Sequence, residues 1–582
     1  MKWTGRFEGY RFSCLRNDLI SGLLVGIIAI PLGMAFAIAS GVKPEYGIYT
    51  TVIAGILISL FGGSKYQIGG PTGAFIPILL AIVMQYGYEN LLIAGFMAGI
   101  LLVLMGLFRL GGLIKFIPRP VTVGFTSGIA VIIFSGQIGN FLGLEGMKRH
   151  EHFWPSMKEI AIHLPGVNGY SVLTASVCLA AILVVPKIAP KIPASLVGLV
   201  VSSLLAALLY PGHVATIGSA YGAIPSALPQ FHLPDITWDR VEMLLRPAIV
   251  IALLGGIESL LSAVVADGMT GSRHNSNREL IGQGIANMVT PLFGGIPATG
   301  AIARTATNIK SGAASPLSGV IHGLVVLLVL VLFAPYASHI PLASMAPILM
   351  VVAWNMSERH EFMRLLRTKT SDSIVLLLTF ALTVFTDLTT AVEIGLALTA
   401  VLFVKRMSEL LAVSKVLPDP NDKHHKVKAH VVEEGKDCPQ ISMYTVEGPL
   451  FFGAASRFAR TVLDKSRIGR GVLLLRLGRV PFMDTTGEAI LAGVVDHVQQ
   501  NGGQVVVSGI RTQPREVLAK TGLLKRIGEE RFFAHTGEAL QYALTQLDRD
   551  KCLNCRHFAF RECQALSQAE LPAERKLRAT KA

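Results

Sequence analysis

The chain has 582 residues, of which 51% are hydrophobic and only 15% charged, and its mean hydropathy of +0.54 excludes an ordinary water-soluble enzyme. The formal net charge of +14 would suit a nucleic-acid binder in a soluble chain. In a bilayer protein Lys and Arg orient the loops instead, so nucleic acid is not expected as a partner.

Residues 1–18 form a basic amphipathic start with Lys2, Arg6, Arg11 and Arg16 and no cleavage-site pattern, so the first apolar run stays in the chain. From residue 19 to residue 408, apolar runs of roughly 15 to 23 residues alternate with short polar loops, as helices that cross a bilayer do. Fourteen such segments begin near residues 19, 46, 74, 91, 120, 170, 193, 247, 281, 302, 317, 341, 372 and 390. An even number puts both termini on one side, and the basic start puts that side in the cytoplasm of a multi-pass cell-membrane protein. Loops predicted inside carry Lys65, then Arg109, Lys115 and Arg119, then Lys187 and Lys191, then Arg273 and Arg278, then Arg359, Arg364, Arg367 and Lys369. Those predicted outside are poorer, with Lys43, then Lys148, Arg149 and Lys158, then Arg240 and Arg246. Gly22 with Gly26, and Gly95 with Gly99, have the small-xxx-small spacing of close helix contacts. Six scattered cysteines are too sparse for a disulfide framework, and His150, Glu151 and His152 read as a solvated loop.

The third and tenth segments are short, and each follows a stretch that cannot be helical. These are Gly69-Gly70-Pro71-Thr72-Gly73-Ala74-Phe75 and Gly294-Gly295-Ile296-Pro297-Ala298-Thr299-Gly300-Ala301-Ile302. An offset of 227 residues carries Thr72 to Thr299 and also Pro31 to Glu258. Seven segments therefore repeat as seven, about 19–210 and 247–408, and an odd repeat must re-enter the membrane from the opposite side. The two breaks are expected to enter the bilayer extended and turn helical near its midplane, their N-termini facing each other. Amides at Gly73, Ala74 and Phe75 and at Gly300, Ala301 and Ile302 would then form a main-chain cradle for a small anion.

Glu258, well inside the eighth segment, is a costly carboxylate that needs a role or a partner. Ser262 stands one turn on, so the pair is expected to hold a proton or a sodium ion beside the cradle. Arg304, one turn into the tenth segment, would add a fixed positive charge, whereas Asp267 reads as a helix-end residue. No metal-ligand cluster and no nucleophile paired with a base lie in the spans, so neither an enzyme nor a cofactor is expected.

The stretch from Glu258 through Arg273-His274-Asn275-Ser276-Asn277-Arg278-Glu279-Leu280 to the Gly-Gly-Ile-Pro-Ala-Thr-Gly motif and Asn308 closely resembles the sulfate permease family. The resemblance extends over about residues 10–548. It implies a core domain moving against a gate domain, commonly a homodimer, and substrates among sulfate, bicarbonate, chloride and dicarboxylates. Carried over by residue, the anion pocket's aromatic is Phe36, and its two cradles are Thr72, Gly73, Ala74 and Phe75, and Thr299, Gly300, Ala301, Ile302, Ala303 and Arg304. The coupling carboxylate is Glu258; sodium-coupled bicarbonate members look to carry Asp there, so Glu favours a proton. The expectation is proton-coupled sulfate uptake by alternating access. The alternatives are a sodium- or proton-coupled bicarbonate or C4-dicarboxylate carrier, or a membrane anion sensor.

A polar linker at 409–440 leads to predicted strands at 441–446, 472–477 and 504–508 separated by helical stretches, a small α/β domain over 441–548. Its Phe482-Met483-Asp484-Thr485-Thr486-Gly487 turn resembles the loop of STAS domains, whose signalling relatives are phosphorylated at the residue matching Thr486 and bind cytosolic partners. The plainer role for Thr486 is a helix cap. The tail at 549–582 carries Cys552, Cys555, His557 and Cys563, a weak zinc candidate of atypical spacing; free thiols are the plainer reading.

Overall fold

The computed structural model describes residues 12–112, 118–189, 192–226, 228–386, 388–418, 427–428, 437–465, 471–553, 555, 557, 559–560 and 562–568. Lys2, Arg6, Arg11, Lys115 and Lys191 of the charge pattern, residues 419–426 and 429–436 of the linker, and residues 569–582 of the tail lie outside the described residues. The chain divides into two compact units, Met1–Thr399 and Ala400–Ala582.

The first unit is helical, and each of the fourteen predicted segments falls on a helix. In chain order the unit begins with α1 (Phe12–Ala39), α2 (Pro44–Phe61), the two-residue strand β1 (Gly69–Gly70), α3 (Ile76–Tyr86), α4 (Tyr88–Leu107) and α5 (Arg119–Gly136). The short α6 (Ile138–Leu142) and α7 (Phe153–His163) precede α8 (Gly169–Ile188), α9 (Ala194–Leu209) and the short α10 (Ile217–Tyr221). The second repeat runs through α11 (Trp238–Thr270), α12 (Ser276–Val289), strand β2 (Thr299–Gly300), α13 (Ile302–Lys310), α14 (Leu317–Ala337) and α15 (Leu342–Met356). It closes with the short α16 (Arg359–Arg367), α17 (Ser371–Phe385) and α18 (Leu388–Glu409). Among the described residues seven helices are long and apolar enough to cross a bilayer by themselves, and the apolar stretches Gly73–Tyr86, Ala194–Leu209 and Ser371–Phe385 are shorter. The eighth segment starts earlier than expected: α11 begins at Trp238, so Arg240 and Arg246 belong to its first turns, and Arg246 pairs with Glu393 at 3.0 Å.

The repeats interleave into two halves. α1, α2 and α4 pack on α11, α12 and α14, whereas α5, α8 and α9 pack on α15 and α17. Lipid gives helices no hydrophobic reason to associate, so they hold together through backbone proximity at small residues. A Cβ on Gly22 would stand 2.6 Å from the Ser318 carbonyl, and one on Gly99 would stand 2.6 Å from the Met288 amide, so both predicted small-residue pairs are helix contacts. A further close crossing is α1 on α2, where a Cβ on Gly47 would fall 2.0 Å from the Gly33 carbonyl oxygen. Gly47→Ala must push these backbones apart, and overpacking of that kind costs about 1–3 kcal/mol. A fall of several degrees in the thermal midpoint of the detergent-solubilised protein is expected, and an unchanged midpoint would disprove the contact.

Carboxylates, two of them buried, pin the loops of the same half. Asp18 accepts from the Ala314 and Ser315 amides at 2.7 and 3.0 Å and from Ser315 Oγ at 2.6 Å. Glu279 accepts from the Gly63 and Ser64 amides at 2.7 and 2.9 Å. Asp267 closes the α11–α12 turn by accepting from the His274 amide at 3.0 Å and meeting its Nδ1 at 2.7 Å, the helix-end role expected of it.

The second unit has β3 (Ala412–Lys415), β4 (Leu417–Pro418), β5 (Val427–Lys428), β6 (Ile441–Glu447), β7 (Val472–Arg479), β8 (Gln504–Ser508) and β9 (Phe532–Phe533). Five of them form a sheet in the order β3-β6-β7-β8-β9, parallel except for the antiparallel edge strand β3. Strand residues alternate between two faces. Tyr444, Leu473, Leu475 and Val507 join α19 (Ala455–Lys465), α20 (Thr485–Gln500) and α21 (Thr512–Thr521) in one core. Ile441, Met443, Leu474 and Val506 face Ala539 and Ala543 on the other. Strand β3 lies inside the stretch read as linker, because its four residues show no alternation of their own and are a strand only through pairing with 444–447.

Candidate functional site

The two helix breaks meet as a miniature antiparallel sheet, with Gly69 opposite Gly300 and Gly70 opposite Thr299. The Ala301 amide also donates to the Ile68 carbonyl at 2.8 Å. Non-helical backbone at membrane depth must find partners inside the protein, and here each break supplies them for the other. Beyond the pairing both chains turn helical at once. Thr72 is extended and leads into a single 3-10 turn, Gly73–Phe75, before α3, and Ala301 is extended and leads into α13. Neither carries a side-chain cap.

The hydrogen bonds of the breaks correct the expected cradle. The Gly300 amide donates to Ser259 Oγ at 3.0 Å, the Ala301 amide is used by Ile68, and the Phe75 amide closes its own turn on the Thr72 carbonyl at 3.3 Å. The amides of Gly73 and Ala74 and those of Ile302 and Ala303 stand in first turns, where helix geometry offers no acceptor.

Glu258 comes from the middle of α11 and is held between the two breaks. Its Oε2 accepts from Thr72 Oγ1 at 2.9 Å and from Thr299 Oγ1 at 2.8 Å, one hydroxyl from each member of the repeat-related pair. Ser262, expected beside the carboxylate, points elsewhere: its Oγ donates to Thr305 Oγ1 at 3.3 Å, and Thr305 Oγ1 accepts from the Ile68 amide at 3.0 Å. Arg304 is only 3% exposed, and its Nη2 donates to the Pro71 carbonyl while Nη1 has no hydrogen-bond partner. A cation therefore sits behind the third-segment break, tied to it. Gly70 has φ +147°, and a Cβ there would stand 2.6 Å from Arg304 Nη1, so this position requires glycine twice over.

The wall over Gly73 is apolar. A Cβ on Gly73 would meet Met356 Sδ at 3.2 Å, Ile133 Cδ1 at 3.5 Å and Phe36 Cε1 at 3.7 Å, which places Phe36 at the cradle. Met356 and Ile133 carry no sequence signal, being apolar residues in apolar helices of the other half. Phe75 turns away toward Gly255 of α11, its Cζ 3.2 Å from a Cβ position there. Gln67 closes the floor, since a Cβ on Gly300 would fall 1.9 Å from its Nε2.

In the second unit Asp484, not Thr486, caps α20, its side chain accepting from the Gly487 amide at 2.7 Å and from the Phe452 amide at 3.1 Å. Thr486 is exposed in the first turn. Cys552 accepts from Gln440 Nε2 at 3.3 Å, and burial pushes the Cys552 and Cys563 thiols up from their ordinary value, which disfavours the thiolate a metal needs. Among the described residues no group of three or more His, Cys, Asp or Glu side chains is arranged to hold a metal ion, His557 included.

Residues 15–379 match the sulfate permease family and residues 434–539 match the STAS domain. The chain is 56% identical over 538 residues to the Bacillus subtilis protein named "Putative sulfate transporter YvdB", covering 92% of this chain and 99% of that one. It is 30% identical over 547 residues to the bicarbonate transporter BicA of Picosynechococcus sp., covering 92% of this chain and 95% of the relative. The structure of SLC26A9 superposes with a TM-score of 0.83 at 18% identity, covering 94% of this chain and 93% of that chain, a likeness of fold. The transmembrane domain of a cyanobacterial BicA superposes with a TM-score of 0.60 at 30% identity over 67% of this chain and 98% of that chain.

Proposed function

Because this chain belongs to the sulfate permease family of anion transporters and carries a STAS domain, we propose that it takes up sulfate together with a proton by alternating access. The observation that carries the reading is Glu258 bridged by Thr72 and Thr299 at the meeting of the two helix breaks. A hydroxyl has one proton to donate. While Glu258 is charged, both threonines spend theirs on it. Once Glu258 binds a proton it needs fewer donors, and the hydroxyls turn to an anion oxygen beside the amides of Gly73 and Ala74. Proton binding and anion binding then favour each other through two rotating hydroxyls. Arg304 offsets the charge, and Phe36, Ile133 and Met356 close the apolar side.

The half built on α1–α4 and α11–α14 acts as the moving core, and the half built on α5, α8, α9, α15 and α17 acts as the gate. The protein is a multi-pass membrane protein, and the basic-loop asymmetry supports cytoplasmic termini, with a homodimer as the assembly and the STAS domain as the regulatory partner site. The 56% identical relative favours sulfate, while the 30% identical bicarbonate transporter supports bicarbonate as the second substrate to test.

Uptake of labelled sulfate into proteoliposomes, with and without an inward proton gradient and with bicarbonate and fumarate as competitors, tests the reading. Gradient-driven accumulation of sulfate is expected. Sulfate flux absent but a competitor's own label accumulating would replace the substrate, and anion binding with no flux would make the protein a sensor.

A further inference from the structure

α16 is too short to span a bilayer and lies between two apolar helices, α15 ending at Met356 and α17 starting at Ser371. Its residues divide by face. Arg359, His360, Met363, Arg364 and Arg367 recur at the spacing of one helical face and are exposed. Phe362, Leu365 and Leu366 are half-buried on the other, with the Phe362 ring edge-on to Phe380 of α17 at 5.3 Å. α16 therefore packs one face on α17 and α5 and turns the other outward. Trp354, in the last turn of α15, is 55% exposed and carries the Arg359 guanidinium 4.6 Å above its ring. An exposed Trp at the end of an apolar helix marks the level of the lipid headgroups.

The outward face of α16 borders a cavity of about 400 Å³ lined by Arg359, His360, Met363, Arg364 and Arg367. Glu361 holds Arg364 at 2.5 Å and Arg119 at 3.1 Å, whereas Arg359 and Arg367 make no ion pair among the described residues. Guanidinium groups at headgroup depth match phosphodiester oxygens, and Met363, 47% exposed among them, matches the start of an acyl chain. A soluble oxyanion would have no use for the thioether.

We infer that the outer face of α16 is a binding site for the headgroup of an anionic phospholipid. The site is independent of the transport reading and involves none of the residues around Glu258. Bound lipid would brace the end of α15, the helix that brings Met356 to the wall over Gly73.

The full-length protein in mixed micelles is titrated with phosphatidylglycerol or phosphatidylcholine, and lipid adducts are counted by native mass spectrometry. Each cationic side chain near an anionic surface contributes about fivefold in affinity, so at least a tenfold preference for phosphatidylglycerol is expected. A variant carrying Arg359→Gln, Arg364→Gln and Arg367→Gln should lose it, and the corresponding triple Lys variant should keep it. Arg367→Gln alone, which breaks no ion pair, should cost about fivefold and serves if the triple variant does not fold. Excess inorganic phosphate should not displace the lipid. No headgroup preference, a preference untouched by Arg367→Gln, equal loss in the Lys variant, or displacement by inorganic phosphate would each overturn the assignment.

Discussion

Glu258→Gln is expected to leave anion flux down its own gradient but to abolish accumulation driven by protons. Glutamine keeps the shape and an acceptor oxygen for Thr72 and Thr299, which donate to Oε2 at 2.9 and 2.8 Å, so the meeting of the two breaks survives. What it cannot do is change protonation. With the membrane potential held at zero, one co-transported proton lets each unit of pH difference drive about tenfold accumulation, and that ratio should fall to one in the variant. Proteoliposomes loaded at one pH and diluted into another measure it directly. An accumulation ratio that still follows the pH difference would remove Glu258 from coupling.

Arg304→Ala is expected to raise the apparent substrate constant by about 10- to 100-fold, the range for losing a buried charge-assisted interaction. Two losses combine. The cation beside the breaks disappears, and the Pro71 carbonyl, which accepts from Arg304 Nη2, is left without that donor. Concentration dependence of uptake and thermal midpoint, read together, separate them. Arg304→Lys restores a charge without the planar fork, so it should recover some of the affinity. A lowered midpoint with unchanged substrate affinity would make Arg304 a brace for the third-segment break and place it outside the anion's reach.

The features of this protein that were legible in its amino-acid order are those set by local chemistry. Apolar runs of membrane length, proline and glycine where no helix can continue, and a common 227-residue offset from Thr72 to Thr299 are visible without coordinates. So is the isolation of Glu258 in an apolar helix. Partners were not legible. Ser262 stands one turn from Glu258, yet it bonds Thr305, because the breaks bring two threonines closer to the carboxylate than the helix brings its own serine. Thr486 occupies the helix start, yet Asp484 caps it, because only the earlier residue is extended and aims its carboxylate back at the Gly487 amide.

Amino-acid order by itself determined that the chain crosses a membrane many times, that two equivalent breaks interrupt it, and that one carboxylate and one arginine lie near them. The reason is that lipid imposes its demand residue by residue: a peptide group or a charge either has an internal partner or is costly. Only the tertiary structure decided who the partners are. The opposite break consumed the amide of Ala301 and Ser259 that of Gly300, the hydroxyls of Thr72 and Thr299 were brought to Glu258, and Phe36, Ile133 and Met356 were gathered over Gly73 from three separate helices. Those choices depend on distances between segments hundreds of residues apart, which close packing of small residues sets and no local pattern records.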